Sequence, residues 1–255
     1  MKNYTDDNAK AVDRWVESGW EWGKPVDAAT FARAKSGDWD VVLTPTLPVP
    51  KAWFAPHYAD GRLDGAKILG LASGGGQQMP IFAAAGAECT VFDYSQAQLD
   101  NEALVAAREG YEIRIVRGDM SKPLPFEDNS FDIIFHPCSN FFVEDLHHIW
   151  RECARVLRPG GILMSGMDNC INYIFDEDNP VVSDKLPFNP LLNPAQMAKC
   201  IEGDWGIVFS HTLEEQIGGQ LQAGLVLTHL FDDVGTGPLS QYYPQFFATR
   251  AILPS

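Results

Sequence analysis

The chain has 255 residues, of which 45% are hydrophobic and 21% charged, and this composition is typical of a globular protein and excludes a disordered or fibrous one. Its 19 lysines and arginines against 34 aspartates and glutamates give a net charge of −15. Because nucleic-acid affinity depends largely on cationic side chains that neutralise phosphates, this charge argues against a nucleic-acid partner, and it equally disfavours an anionic membrane surface.

Targeting signals and cysteine usage predict an interior location. The segment MKNYTDDNAK carries charges where a signal peptide needs an apolar run. Nowhere does the sequence contain the roughly 18 consecutive apolar residues that a membrane span requires. The five cysteines are widely spaced and lack paired metal-site spacing, as expected of buried thiols in a reduced compartment. We therefore predict a cytoplasmic protein without a membrane partner.

The chain divides into regions of different composition. Residues 1–60 are rich in tryptophan and are predicted to form an N-terminal cap, with residues 61–255 as the main domain. Within that domain, residues 168 to about 211 are rich in Asn and Pro and predict an insertion over the sheet edge. The tryptophans of the N-terminal cap either form the core of that cap or line a pocket for the acceptor, and the same residues can do both. They are Trp15, Trp20, Trp22, Trp39 and Trp53.

Short apolar runs alternate with helical patterns from residue 67 onward. Strands are predicted at 67–72, 89–93, 112–116, 131–135, 162–166, 225–231 and 246–253. Helices are predicted at 77–85, from Ser95 to near Gly110, at 144–157 and from Thr212 to about 223, and Ser95 with Gln98 is predicted to form a capping box at the start of the second. This alternation predicts an α/β fold, a doubly wound and mostly parallel sheet with crossover helices.

A glycine-rich turn follows the first predicted strand and precedes a helix. The residues are Ser73, Gly74, Gly75 and Gly76. Glycines permit a tight turn and close approach of a ligand, while the helix start offers free N–H groups. The next strand ends in Asp93, whose carboxylate can accept both hydroxyls of a ribose. The pair predicts a nucleoside site; the alternative is a simple strand-to-helix turn with Asp93 as a cap.

Further motifs follow in a recognisable order. Gly118-Asp119-Met120 comes after the third strand, FDIIF forms the fourth, and VLRPGG introduces the fifth. This succession resembles the class I S-adenosylmethionine-dependent methyltransferases over about residues 66–166, and residues 212–253 fit that family's closing elements. The resemblance implies a Rossmann-like seven-stranded sheet whose last strand is antiparallel, S-adenosylmethionine as cofactor, and methyl transfer as the activity.

The resemblance also implies roles for individual residues near the glycine turn. Ala72, Ser73 and Gly74 would lie along the methionine part of the cofactor. Asp93 would bind the ribose, and Tyr94 would flank the adenine.

Residues after the third and fourth strands complete the implied cofactor site. Asp119 would accept from the adenine amino group, and the backbone N–H of Met120 would reach a ring nitrogen. His136 and Pro137, with Asn140, would border the opening where the methyl group is transferred. The alternatives are that Asp119 only forms a turn and that His136 is a wall residue with its hydrogen bonds satisfied.

Two positions depart from the family pattern. The family has an acid at the position of Gly70 and a glycine at the position of Ala72. Without that acid, Gln77 and Gln78 at the helix start become candidates for binding the cofactor carboxylate.

The function predicted from these features is transfer of a methyl group from S-adenosylmethionine to a small-molecule acceptor, by positioning and exclusion of water. No catalytic side chain is predicted, and Asp168, Tyr173 and His211 are candidate polar contacts to the acceptor. No metal is predicted either, because the charged side chains of the 144–157 helix are interpreted as a solvated face.

Other function classes fit the sequence less well. A nicotinamide-dependent oxidoreductase needs a third glycine where this chain has Met79. A nucleic-acid methyltransferase is disfavoured by the net charge and by the segment HPCS at 136–139. The remaining alternative is a non-catalytic protein on the same fold that binds a nucleoside or a partner, which the departures at Gly70 and Ala72 favour.

Overall fold

The computed structural model describes residues 3–176 and 179–255. The described residues contain nine strands, in chain order: β1 Lys67–Leu71, β2 Glu88–Asp93, β3 Arg114–Arg117, β4 Phe131–His136, β5 Leu157–Asp168, β6 Phe175–Asp176, β7 Asn179–Val182, β8 Val226–Asp233 and β9 Phe246–Ile252. The helices are α1 Tyr4–Glu17, α2 Ala28–Lys35, α3 Gln78–Ala84, α4 Gln96–Glu109, α5 Leu146–Val156, α6 Pro194–Glu202 and α7 Gly219–Gln222.

Seven of these strands form one twisted sheet in the order β3-β2-β1-β4-β5-β9-β8. β1 pairs in parallel with β2 and β4, and β5 pairs in parallel with β4. β9 lies between β5 and β8 and is antiparallel to both. The predicted α/β fold, with a mostly parallel seven-stranded sheet and an antiparallel last strand, is therefore confirmed.

Alternating side chains of the central strands fill two apolar layers, one on each face of the sheet. On one face, Ile68 of β1 packs in a cluster with Phe82 of α3. On the other, Leu69 packs in a cluster with Trp150 of α5. Because both faces are covered by helices, the central strands are mostly apolar. No helix in residues 3–176 or 179–255 has the length and hydrophobicity that a membrane crossing needs.

Capping interactions set the ends of the crossover helices. Ser95 accepts a hydrogen bond from Gln98 N and caps α4, and Gly110 closes that helix in the left-handed conformation. The Gln98 side chain does not complete a capping box; it donates to Trp22 O instead. The predicted helix from Thr212 is a π-helical turn, Glu214–Gly218, that continues into α7.

The tryptophan-rich N-terminal segment contributes to both the core and the surface above the sheet. Trp39 and Trp53 are buried in the same cluster as α3. α1 lies against the start of α4, where Asp13 accepts hydrogen bonds from Ser95 Oγ at 2.6 Å and Ala97 N at 3.0 Å. The segment therefore both fills the core and covers the carboxyl end of the sheet.

Residues 168–211 pack as a small layer of their own. β6 and β7 form a two-stranded ribbon, and α6 follows it. Phe188, Cys200 and Val208 make an apolar cluster here. Phe142, from the loop after β4, packs against this cluster, so the layer is joined to the edge of the main sheet where the site lies.

Candidate functional site

The glycine turn after β1 is a buried loop whose backbone is held by hydrogen bonds. Gly75 and Gly76 have φ values of 97° and 70°, which favour glycine. Gly74 N donates to Asp93 Oδ2 at 3.0 Å, and Gly76 N donates to Glu102 Oε1 at 2.7 Å. Two carboxylates from neighbouring elements therefore fix the loop backbone.

Asp93 occupies the end of β2 beside this loop. Its second oxygen, Oδ1, accepts from Ser95 N at 3.0 Å. Desolvation raises the pKa of the Asp93 carboxyl, and the N–H groups of Ser95 and Gly74 act in the opposite direction. The carboxylate is thus oriented by the backbone on both sides.

Three cavities lie in a row above the carboxyl ends of the strands. The helix cavity, beneath α1, has a volume of about 80 Å³, and the loop cavity, beside the glycine turn, about 270 Å³. The insertion cavity, against residues 168–211, has a volume of about 570 Å³. Together they form one elongated depression along the sheet edge.

A few residues line more than one of these cavities. Asp93 and Ala72 belong to both the helix cavity and the loop cavity. Trp20, Phe141 and Phe246 belong to both the loop cavity and the insertion cavity. Phe142, on a short 3-10 helix after β4, lines all three, so the cavities adjoin there.

Most of the residues singled out from the sequence come together around the first two cavities. The loop cavity is lined by Ala72, Ser73, Gly74, Gln77, Gln78 and Asp93. The helix cavity is lined by Ala72, Asp93, Tyr94, Asp119 and Met120. Pro137 also lines the loop cavity.

His136 takes the second of the two roles that the sequence left open, that of a wall residue with its hydrogen bonds satisfied. Its side chain is fully buried and lines none of the three cavities. Nδ1 lies 2.8 Å from Leu71 O, and Nε2 lies 2.6 Å from Asn140 Oδ1. Burial lowers the pKa of the imidazole, which favours its neutral form. The ring therefore joins β1 to the loop after β4, and neither His136 nor Asn140 borders the opening.

The two glutamines at the start of α3 are held differently. Gln77 donates through Nε2 to Glu21 O at 2.7 Å and Lys24 O at 3.1 Å, so its amide secures the N-terminal segment. Gln78 is buried and accepts a long 3.4 Å hydrogen bond from Ser73 Oγ. Of the two amide NH₂ groups, that of Gln77 is thus already bound to the cap.

α1 forms the outer wall of the helix cavity. Thr5 Oγ1 donates to Asp119 Oδ2 at 2.7 Å, and the Tyr94 hydroxyl hydrogen-bonds with Asp6. Asp119 Oδ1 accepts from Ser121 N at 2.8 Å. The predicted turn role of Asp119 is therefore present, and its carboxylate also faces the cavity.

Both departures from the family pattern have a local physical reason. A Cβ at Gly70 would lie 2.5 Å from Met79 Sδ, so no acid fits there without displacing the core of α3. Ala72 has a φ of 48°, in the left-handed region where glycine is favoured. The backbone at Ala72 thus has a conformation that suits glycine better than alanine.

Two buried polar residues of α4 escaped the sequence analysis. Gln98 lines the loop cavity, and its Oε1 is buried without a hydrogen-bond partner among the described residues. Glu102, one turn later, is fully buried, and desolvation raises the pKa of its carboxyl to about 8. Glu102 could have been noticed, because an acid among the apolar positions of an amphipathic helix is unusual. Gln98 was assigned only to a capping box.

The insertion cavity contains two of the three predicted acceptor contacts. Asp168 ends β5, and Tyr173 hydrogen-bonds with its carboxylate. Desolvation raises the pKa of Asp168 to about 6. His211 lies elsewhere, buried with Nε2 2.9 Å from Val143 O. The described residues contain no cluster of His, Cys, Asp and Glu arranged to bind a metal.

Comparisons with known proteins agree with this architecture. Residues 69–165 match the family model described as "Methyltransferase domain". The chain is 42% identical over 253 residues to the uncharacterized methyltransferase YbaJ of Bacillus subtilis (strain 168), covering 96% of each protein. The chain belongs to the class I S-adenosylmethionine-dependent methyltransferases. It is therefore an enzyme of this family, with S-adenosylmethionine as its cofactor.

Solved structures share the fold of this methyltransferase. An S-adenosylmethionine-dependent methyltransferase from Mesorhizobium loti superposes with a TM-score of 0.59 at 16% identity, covering 78% of this chain and 94% of that one. Geranyl diphosphate C-methyltransferase from Streptomyces coelicolor A3(2) superposes with a TM-score of 0.58 at 15% identity, covering 96% of this chain and 97% of that one.

Proposed function

We propose that this methyltransferase transfers the methyl group to a small molecule held in the insertion cavity. The observation that carries the proposal is the row of three adjoining cavities, with Asp93 between the first two and aromatic side chains between the second and third. A nucleoside, its amino-acid tail and an acceptor would occupy the three in that order.

The nucleoside part is proposed to lie in the helix cavity and at its border. Asp93 would accept the ribose hydroxyls, since each of its oxygens accepts one backbone N–H and retains a free lone pair. Asp119 would accept from the adenine amino group, and Met120 N would donate to a ring nitrogen. Tyr94 would flank the base, and Thr5 would orient Asp119 from α1.

The amino-acid tail is proposed to lie in the loop cavity along residues 72–74. Gln78 would donate to the carboxylate, because the Gln77 amide is already bound to the N-terminal segment. Gln98 Oε1 would accept from the ammonium group, since it is a buried acceptor without a partner among the described residues. Gln98 would then do what the family's acid does at the position of Gly70.

When bound, the cofactor supplies an electrophilic methyl group on a positively charged sulfur. Trp20, Phe141, Phe142 and Phe246 surround the place where the loop and insertion cavities meet. Their rings would exclude water and attract positive charge through their faces. Alignment of the acceptor by these walls, without a protein nucleophile, is the main catalytic contribution.

A small acceptor is supported by the size of the insertion cavity and by the net negative charge of the chain. The cavity volume of about 570 Å³ is that of a pocket for a small molecule. The fold neighbour from Streptomyces coelicolor is named for a small acceptor, geranyl diphosphate. The net charge of −15 disfavours nucleic acid.

Calorimetric titration with S-adenosylhomocysteine tests the cofactor part of the proposal. We expect saturable binding, weakened about 100-fold by Asp93→Ala, because a doubly hydrogen-bonded carboxylate is lost. Asp100→Ala is the matched control, since Asp100 is an exposed acid on α4. Unchanged affinity in Asp93→Ala would remove the proposed ribose site.

Radiolabelled S-adenosylmethionine incubated with a cell extract tests the acceptor part. After ultrafiltration and chromatographic removal of unreacted S-adenosylmethionine, we expect a labelled small-molecule product from the wild-type reaction and little from the Asp93→Ala reaction. Label confined to retained protein or nucleic acid would overturn the small-molecule acceptor.

A further inference from the structure

The insertion cavity contains two buried hydrogen-bond acceptors that methyl transfer alone does not explain. Asp168 Oδ1 and Gln245 Oε1 are both inaccessible to solvent and have no partner among residues 3–176 and 179–255. Folded proteins rarely leave such atoms unpaired, because each loses its hydrogen bonds to water. Asp168 and Gln245 both line the insertion cavity. Their unpaired oxygens point to a ligand that donates a hydrogen bond to each.

The fold brings these two side chains to the same edge. Asp168 is the last residue of β5 and pairs with Phe246, the residue after Gln245. Asn169 N donates to Gln245 O at 2.8 Å, which ties the two strand ends together. The sheet and the turn that follows it thus hold the backbones of the two residues side by side.

The other charged side chains of the cavity already have partners. Lys199 Nζ lies 2.8 Å from Asp184 Oδ2, and Asp204 Oδ1 lies 2.7 Å from Arg14 Nη2. Tyr173 bonds with the Asp168 carboxylate but brings no positive charge. Among the described residues that line this cavity, Asp168 is therefore the carboxylate left without a cation.

The walls of the cavity also favour positive charge. Nine of its sixteen lining residues are aromatic, and aromatic faces attract cations. Trp15 and Trp20 lie 5.5 Å apart between ring centroids and form one corner of this wall. An apolar molecule with a cationic group fits both the rings and the unpaired carboxylate.

We propose that Asp168 and Gln245 bind the protonated amine of the acceptor, with its apolar body among the aromatic rings. This inference rests on the proposed function and specifies its substrate class. An ammonium group has three N–H donors and can serve both acceptors, whereas a hydroxyl has one and a carboxylate none. Asp168 and Gln245 are thus the residues that select the acceptor.

Three probes with the same indole ring and different end groups test the assignment: tryptamine, tryptophol and indole-3-acetate. Each is titrated calorimetrically into the full chain saturated with S-adenosylhomocysteine. We expect tryptamine to bind at least about tenfold more tightly than tryptophol, and indole-3-acetate not to bind. Asp168→Asn should bring tryptamine to the level of tryptophol, and Gln245→Leu should weaken tryptamine severalfold.

The controls separate this inference from the proposed function. Asp232→Asn, at an exposed acid of β8, should leave tryptamine binding unchanged. If the wild-type protein does not bind S-adenosylhomocysteine, the proposed function itself is overturned. If S-adenosylhomocysteine binds but tryptamine does not, or binds no better than tryptophol, the amine assignment is wrong. Thermal melts of both variants check that they are folded.

Discussion

The two halves of the site hold their carboxylates in different ways. Around the glycine loop, Asp93, Glu102 and Asp119 each accept a backbone N–H from a neighbouring turn. In the insertion cavity, no backbone N–H of another described residue donates to Asp168, and its one protein partner is the Tyr173 hydroxyl. The rigid half, around the glycine loop, is thus a backbone cradle held by hydrogen bonds. The open half, at the insertion cavity, consists of side chains around a carboxyl group with an unpaired oxygen.

This difference matches the two ligands of the reaction, the cofactor that the family shares and the acceptor that differs between its members. Backbone geometry at the glycine loop depends on a few local turns, so it suits a cofactor common to the family. Side chains from α1, the loop after β4, the insertion and β9 form the other half, and each can change without disturbing the cradle. We expect Gly70→Asp in the rigid half and Asp168→Asn in the open half to have opposite effects on stability.

The largest effect is expected at Gly70, in the rigid half. Gly70→Asp restores the family's acid, but its Cβ would meet Met79 Sδ at 2.5 Å and its charge would be buried. We expect a loss of about 4 kcal/mol or more in the free energy of unfolding, measured by urea denaturation. Gly237→Asp, at a glycine with no heavy atom within 4 Å, is the control. A stable Gly70→Asp variant with tighter S-adenosylhomocysteine binding would show that the cradle is not rigid.

The opposite sign is expected at Asp168, in the open half. Its pKa in the folded protein, about 6, lies above the ordinary 3.8, so folding favours the protonated form. The stability from this group is therefore present below about pH 4 and is lost as the pH rises to about 6. Tyr173, Cys138 and Cys170 are the titratable groups that face it.

Asparagine carries no charge, so Asp168→Asn removes the destabilisation that ionised Asp168 causes above about pH 6. It should raise the free energy of unfolding at pH 8 by about 2 kcal/mol. The gain should be smaller at about pH 5, where the wild-type carboxyl is mostly protonated in the folded state. Urea denaturation at both pH values measures it, with Asp232→Asn as the control. A destabilised Asp168→Asn at pH 8 would show that the folded protein stabilises the ionised form of Asp168.

The sequence predicted the rigid half well because its signals are local. Strands, glycine turn and the end of β2 each follow from a few adjacent residues, so Asp93 and residues 72–74 were found together. The open half depends on contacts between residues far apart in the chain, such as Trp20 and Phe246, which periodicity does not reveal. The two roles of His136 stayed open for the same reason, since its partner Leu71 lies on another strand.

A smaller effect, on binding alone, is expected at Gln98. Gln98→Leu should weaken S-adenosylhomocysteine about tenfold by removing one acceptor for the ammonium group. Binding of 5′-methylthioadenosine, which lacks the amino-acid tail, should not change. Gln96→Leu, at an exposed position of the same helix, is the matched control. Equal weakening of both ligands would mean that Gln98 supports the loop and does not contact the tail.

The smallest effect is expected at Ala72, where the cradle departs from its family. An alanine in the left-handed conformation loses roughly 1 kcal/mol of folding free energy. Glycine avoids this loss but gives up more conformational entropy on folding, a somewhat smaller penalty. Ala72→Gly should therefore stabilise the protein by about 0.5 kcal/mol. Ala103→Gly, in the exposed interior of α4, should instead destabilise it by about 1 kcal/mol. Paired urea titrations compare the two. If both substitutions destabilise the protein equally, the φ of 48° at Ala72 carries no strain. The hydrogen bonds from Gly74 and Gly76 to Asp93 and Glu102 would then be enough to fix the loop backbone with alanine in place.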